Sequence, residues 1–180
     1  MFITQVQQSV QRFLSDHPFF KGEGNQIPIP VFAANDKNLI RLAQQSMGRI
    51  SGICVIVAGL GGDYSSHDGG EPYFDPARFT CRVRENPQTN RGSNTGSGMP
   101  ADYVAEVCAQ VLKNHRPTAI DGTTYLTGSG IICTGISPGE DEPGIIAFDM
   151  VFTCDGGVRH DPVRLDFANS PLPGDDPPTT

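Results

Sequence analysis

The chain has no tryptophan, no C-x-x-C pair and no apolar run approaching the roughly 20 residues that a membrane helix needs. Its N-terminus, MFITQVQQSVQRFL, lacks the basic start and following apolar run of a secretory signal. Basic residues are also scarce, with 13 Lys and Arg against 20 Asp and Glu and a formal charge of −7. This acidic balance argues against binding nucleic acid through the overall field of the protein, although a local basic patch is still allowed.

The motifs of several enzyme classes are missing as well. The glycine-rich stretch GSNTGSGMP (92–100) lacks the Lys-Ser/Thr end of a Walker A loop and the spacing of a dinucleotide fingerprint. No G-x-S-x-G elbow is present. The four histidines have no companion three or four positions away, and we interpret them as surface or capping residues. We therefore predict no cofactor, no metal and no catalytic residue.

The five cysteines are predicted to be buried core residues in a reducing cytoplasm. Their number is odd, and most lie inside apolar-patterned segments, which suits a small buried hydrophobe better than a disulfide or a metal ligand. They are Cys54, Cys81, Cys108, Cys133 and Cys154.

Hydrophobic periodicity predicts one α+β domain over residues 1–155. Helical spacing is found near 3–15, 36–47 and 100–112, and strand patterns at 50–60, 78–84, 123–127, 130–136 and 145–155. The segment 61–77 is predicted to be a long loop, and the last three strands an antiparallel meander. The expected fold is a mixed, mainly antiparallel sheet of about four to five strands with helices packed on one side. Residues 156–180 are predicted to be an extended, acidic, proline-rich tail.

One strand carries a basic stripe. In RFTCRVR (78–84) the apolar residues alternate with Arg78, Arg82 and Arg84, so the three arginines share a face opposite the core. We consider three roles for this stripe: contact with acidic turns of a neighbouring subunit, the wall of a channel for DNA, or ordinary ion pairs within the monomer. The acidic turn residues are Glu140, Asp141 and Glu142.

The polar loop that follows this strand, 85–98, is predicted to be an interaction loop. Asn86-Pro87 is expected to end the strand by fixing a turn. Asn90 and Arg91 could hydrogen-bond a partner or brace the loop itself, and the Gly/Ser run 92–98 is expected to order on assembly. Glu85 completes the set of candidate subunit-interface or channel-facing residues.

The order of these segments resembles a family of small structural proteins of tailed bacteriophages. The segments are ICVIVAG, YFDPARFTCRVRENPQTNRG, a helix of the ADYVAEVCAQVLKNHRP type and a meander ending in IIAFDMVFTC. This pattern is similar to tail terminator, tail completion and minor tail proteins of the neck joint, and the phrase ENPxxNR after a strand is its most specific part. The resemblance covers roughly residues 1–155.

The resemblance implies a tail-terminator-like fold and a homo-oligomeric ring, commonly a hexamer. Such a ring caps the tail tube, meets the head-tail connector or neck protein, and lets DNA pass through its centre. It implies a virion protein of the tail and neck that assembles in the host cytoplasm, with no enzyme activity and no membrane. A ring joins two different patches head to tail.

Two other classes of function remain open at this stage. One is a small anion- or small-molecule-binding enzyme with a site between loops 61–77 and 85–98, where His67, Asp68, Asp75 and Arg91 would converge. The other is an adaptor that binds a partner through residues 160–180. The sequence does not separate tail terminator from tail completion protein, and it does not fix the subunit number or the type of tail.

Overall fold

The computed structural model describes residues 2–24, 26–66, 72–92, 94, 96–118, 124–127 and 130–160. One mixed sheet forms the centre of the fold. Its helices are α1 (Phe2–Asp16), α2 (Pro18–Lys21), α3 (Leu39–Gln45) with a π-helical turn (Ser46–Ile50), α4 (Pro87–Gly92) and α5 (Ala101–Leu112). Its strands are β1 (Val31–Ala33), β2 (Ile53–Ser66), β3 (Pro72–Glu85), β4 (Thr124–Thr127), β5 (Ile132–Gly139) and β6 (Ile146–His160).

The strands run in the order β1-β2-β3-β6, with β5 and β4 both beside β6 on its far edge. β1 is parallel to β2, and all other pairs are antiparallel. The predicted α+β class with a mixed, mainly antiparallel sheet is confirmed. The predicted meander is wrong in its order, because β4 and β5 each pair with β6.

α1 and α5 cover one face of the sheet. Their apolar stripes meet the inward residues of β2, β3 and β6, and Phe79 of β3 stacks on Phe152 of β6 with ring centroids 5.1 Å apart. Two glutamines fix α1 to the strands, since Gln7 donates a hydrogen bond to the Val57 carbonyl and Gln11 to the Val31 carbonyl, each at 3.0 Å. The large core residues of this layer are Val6, Val10, Leu14, Val104, Cys108, Leu112 and Met150.

Within the described ranges, the opposite face of the sheet is covered at one end. There α3 and its π-helical turn place Ala43 and Met47 against Cys54 of β2, in a second and smaller core. β2 thus has apolar side chains on both faces at its start, which explains its near-continuous β-branched run. In the described part of the chain, no helix is long and apolar enough to span a membrane.

β2 and β3 are longer than the sequence pattern indicated. They form a hairpin whose register continues out to Ser66 opposite Pro72, so most of the predicted loop 61–77 is strand. Register shifts lie between Gly59 and Gly61 and between Gly62 and Tyr64. Such bulges break the period-2 alternation on which the prediction relied. β6 likewise runs on to His160, beyond the expected boundary at residue 155.

Burial agrees with the core interpretation of most cysteines. Cys54, Cys81, Cys108 and Cys154 are buried, whereas Cys133 on β5 is only partly so. Burial raises the pKa of the Cys54 and Cys154 thiols to about 12. These thiols therefore stay protonated and unreactive at neutral pH.

His115 generates a prediction about pH. Its ring stacks on Phe13 with ring centroids 3.7 Å apart, its Nε2 is buried with no hydrogen-bond partner among the described residues, and burial lowers the pKa of the imidazole. The unfolded chain binds a proton near pH 6.5, while the folded chain resists protonation until lower pH. We expect the urea midpoint to fall between pH 7.5 and pH 5, and His115→Phe to reduce that fall. An equal fall in both proteins would contradict the assignment.

Candidate functional site

The phrase ENPQTNR forms a buried polar junction where β3 ends and α5 begins. Glu85 is fully buried at the last position of β3. Its carboxylate accepts hydrogen bonds from Asn90 Nδ2 at 2.8 Å and from the Ala101 N–H, at the start of α5, at 2.8 Å. Arg91 donates to both carboxylate oxygens, at 2.7 Å from Nε and 3.0 Å from Nη2. A buried carboxylate needs this many partners, because a single unpaired charge is costly to remove from water.

Asn90 is the second member of the junction and is also buried. Its Nδ2 donates to the Met99 carbonyl at 2.8 Å, and its Oδ1 accepts from Ser97 Oγ at 2.7 Å and the Gly98 N–H at 3.0 Å. All the capacity of its amide is used within the chain. The Ser97 N–H bonds the Ser51 carbonyl at 3.0 Å, so the loop is also attached to the start of β2.

Two glycines make room for this arrangement. A Cβ at Gly52 would fall on the backbone of Asn90, and one at Gly96 would fall on the Asn90 carbonyl. Gly52 also has a positive φ of 69°, which side chains other than glycine rarely adopt. The glycine-rich composition of this region therefore serves close backbone packing around Asn90.

The predicted interaction loop contains a short helix that the sequence reading did not identify. Asn86 Oδ1 accepts from the Gln88 N–H at 3.1 Å, and α4 (Pro87–Gly92) follows directly. A capping Asn followed by Pro at the first helical position is a helix-start signal, and it could have predicted this helix. Of the two roles considered for Asn90 and Arg91, the contacts described here brace the loop. Whether the loop also contacts a partner stays a prediction.

The three arginines of the stripe lie on the face of the sheet opposite α1 and α5, called the open face below. Each of them pairs with a carboxylate of the same chain. Arg82 makes two bonds to Asp149 of β6, at 2.6 and 2.7 Å, and Arg84 makes two to Asp141, both at 2.6 Å. The bond from Arg78 to Asp63 is longer, at 3.2 Å, and both side chains are largely exposed.

The Arg84 pair is the most enclosed of these. The exposed fractions of the two side chains are 17 % for Arg84 and 6 % for Asp141, and Glu142 lies 3.8 Å from Arg84. Burial raises the pKa of Asp141, but the hydrogen bonds from Arg84 and the Glu142 N–H outweigh this, so the net pKa lies below its usual value. Asp141 thus binds an arginine of its own chain, and Glu140 of the same turn is exposed.

Around these pairs the open face forms a shallow depression of about 670 Å³. Ile56, Ala58, Leu60 and Val151 contribute apolar surface, and the Arg82 and Arg84 pairs contribute polar surface. The charges are balanced pair by pair, so the depression holds no free anion-binding arginine among the described residues. This shallow, charge-neutral surface is better suited to contact with another protein than to binding a small ligand.

The residues proposed for an enzyme site are not brought together by the described structure. Arg91 is bound to Glu85, and Asp75 is exposed on β3. His67 and Asp68 lie outside the described residues. Among the described residues, no group of three or more His, Cys, Asp or Glu side chains could hold a metal ion.

Comparison with known proteins adds a structural likeness. No protein-family model matches the chain, and no curated protein sequence matches it. A chain from the solved structure described as the virion of a native gene transfer agent particle superposes with a TM-score of 0.50 and 15 % identity. The match covers 84 % of this chain and 93 % of that chain, so the similarity in fold extends over most of both chains.

Asn90 supplies the prediction from this site. Asn90→Ala removes partners from Glu85, the Met99 carbonyl and the Gly98 N–H, all at a buried position. We expect a loss of about 2–4 kcal/mol in the free energy of unfolding, measured by urea denaturation. The matched control is Gln88→Ala, an exposed α4 position at which a change of about 0.5 kcal/mol or less is expected. Equal effects at the two sites would show that the junction contributes little.

Proposed function

We propose that this protein is a structural component of a tailed-bacteriophage virion, placed at the joint between tail and neck. In this proposal several copies form a ring, with six as the expected number. The ring caps the tail tube and connects it to the head connector, and DNA passes through its centre. The proposal includes no cofactor and no catalytic step.

The observation that carries the proposal is the fold shared with a chain of a virion structure. The likeness extends over 93 % of that chain, so it concerns a whole subunit and not one common motif. The order of segments around ENPxxNR resembles tail terminator and tail completion proteins, which is an independent reason to consider the same class of assembly. The two lines of support agree on a virion protein, and the neck position rests on the resemblance alone.

The described structure is compatible with this role. Glu85 and Asn90 of the ENPxxNR junction are buried and hydrogen-bonded, so the junction ties α5 to the strands β2 and β3. The open sheet face is broad, partly apolar and electrically neutral, as is common where proteins contact one another. A virion subunit needs such surfaces and no substrate pocket.

We expect purified protein to form a discrete ring. Light scattering on a sizing column, repeated over a hundredfold range of concentration, should give one mass that is a small integer multiple of 19.3 kDa. Negatively stained particles should be annular with a central hole. A monomer at every concentration would argue against a ring that forms without other virion proteins.

The enzyme alternative makes a different prediction. A small-anion site between loops 61–77 and 85–98, with His67 and Arg91 as the groups that bind the anion, should show a rise in melting temperature with inorganic phosphate or sulfate, and His67→Ala should abolish it. The structural role predicts no such rise and an unchanged mass in this variant. No contact among the described residues favours the enzyme alternative.

A further inference from the structure

Among the described residues, two long strand segments on opposite sides of the sheet lack a strand neighbour on their outer edge. On one side β1 pairs only with Val55–Val57, so β2 from Ala58 to Ser66 has no strand neighbour on its outer side among the described residues. On the other side the outer edge of β5 (Ile132–Gly139) likewise has no strand neighbour in the described part of the chain. Each edge presents backbone N–H and C=O groups that a further strand could bind.

The composition of both edges is unusual for a monomer. β5 contains no charged residue, and β2 contains none between Ala58 and Gly62. Soluble proteins usually protect such edges with lysines or other charges. Here large apolar side chains are exposed instead, with exposed fractions of 59 % for Leu60, 58 % for Ile132 and 43 % for Ile136. Pro138 and the bulge at Cys133–Gly135 restrict pairing on β5 without adding charge.

The strand directions make the two edges complementary. β2 and β6 run the same way, and β3 and β5 run the opposite way. If copies are related by rotation about an axis, β5 of one copy and β2 of the next therefore meet antiparallel. This continues the alternation already present inside each subunit, and it uses both free edges in one head-to-tail contact.

The heights of the edges along the strands also fit a closed ring. Through the register, β5 lies level with Cys54–Gly61 of its own β2, whereas the free part of β2 is Ala58–Ser66. Pairing the two edges shifts each neighbouring copy along the strand direction by about four to five residues, or ~15 Å. The four strands of one copy, β2, β3, β6 and β5, span a width of ~19 Å. The resulting strand tilt is ~38°, inside the range of about 35–45° that closed sheets adopt.

We propose that β5 of one copy pairs antiparallel with the free part of β2 of the next copy, so that the ring is one continuous sheet. This inference rests on the proposed ring and specifies its subunit contact. The occupant of each edge is a second copy of this chain, because the chain itself carries both halves of the contact.

One consequence concerns the arginine stripe. A closed sheet has more room on its outside than on its inside, and α1 with α5 forms the thicker layer. The helices therefore lie outside, and the face carrying the Arg82–Asp149 and Arg84–Asp141 pairs lines the channel. Because these charges are already paired, the wall neither binds nor strongly repels a passing DNA backbone.

Engineered disulfides test the contact directly. Leu60 and Ser137 both border the depression on the open face, so their side chains lie on the same side of the sheet. Within one chain they are separated by three strand spacings, or ~14 Å, well beyond the ~4.4–6.8 Å between Cα atoms that a disulfide allows. A Leu60→Cys, Ser137→Cys double variant can therefore cross-link only between copies.

The expected result is a ladder of covalent oligomers on a non-reducing gel. Each single variant alone should give none, which controls for the partly exposed Cys133. A mixture of the two single variants should stop at dimers, because each chain then has one introduced thiol. Leu60→Cys with Gly135→Cys tests the register two residues away on the same face.

The outcomes separate this inference from the proposed function. A ring by mass that gives no ladder in either register would overturn the edge pairing and leave the ring in place. A monomer at every concentration would overturn the edge pairing and would argue against a ring that forms without other virion proteins. Ladders from a mixture of single variants would mean random oxidation and would also overturn the inference.

A charge placed on the edge gives a second, independent readout. Ile136→Lys should dissociate the oligomer into monomers at concentrations where the wild type is fully assembled. The protein concentration at half assembly should rise at least tenfold. The matched control is Tyr103→Lys, at a half-exposed residue on the outer helix α5, which should leave the mass unchanged. Because backbone pairing carries the contact, the wild-type mass should persist in 1 M NaCl. Dissociation in salt would favour contact through charged patches instead.

Discussion

The buried carboxylate of Glu85 is the interaction on which the rest of this fold depends. It lies where β3 ends, and it must be satisfied without water. It accepts the first free N–H of α5 from Ala101, an amide N–H of Asn90 and two bonds from Arg91. The position of the strand, the start of the long helix and the path of the loop between them are thereby set by one group.

The open face of the sheet is organised by ion pairs near the surface and not by a buried carboxylate. Its arginines are matched to aspartates across strands and turns, and the two best pairs are bidentate and partly enclosed. Paired in this way, they give orientation to the β5–β6 turn and leave little net charge. The acidic character of the protein is thus carried elsewhere, and this face is free to act as the wall of a channel or as a surface toward another protein.

The outer edges of β2 and β5 have no strand neighbour among the described residues, and the proposed subunit contact depends on this feature of the fold. A monomer with these two free edges has a reason to associate, since β5 carries no charge and each edge holds unpaired backbone groups and exposed isoleucine or leucine among the described residues. A ring removes both edges at once. In the proposed ring, each of these edges would pair with the next copy of the chain.

The secondary-structure prediction was most successful where one face of a helix or strand is buried and the other is exposed to solvent. The α+β class, the amphipathic helices and the β3 alternation are written in local periodicity, because burial selects apolar residues at regular intervals. It failed along the β2–β3 hairpin, where the bulges at Gly59–Gly61 and Gly62–Tyr64 interrupt that period. It also missed α4, although the Asn86-Pro87 signal was present.

Composition and periodicity along the chain establish which residues are apolar, where the main helices and strands lie, and that ENPQTNR is a distinctive phrase. The role of that phrase depends on the three-dimensional fold, because the partners of Glu85 and Asn90 come from segments that are separate along the chain. The same holds for the arginines, whose carboxylates at 63, 141 and 149 are brought opposite them by strand register. It also holds for the free edges, since no pattern within a strand states which neighbours it will have.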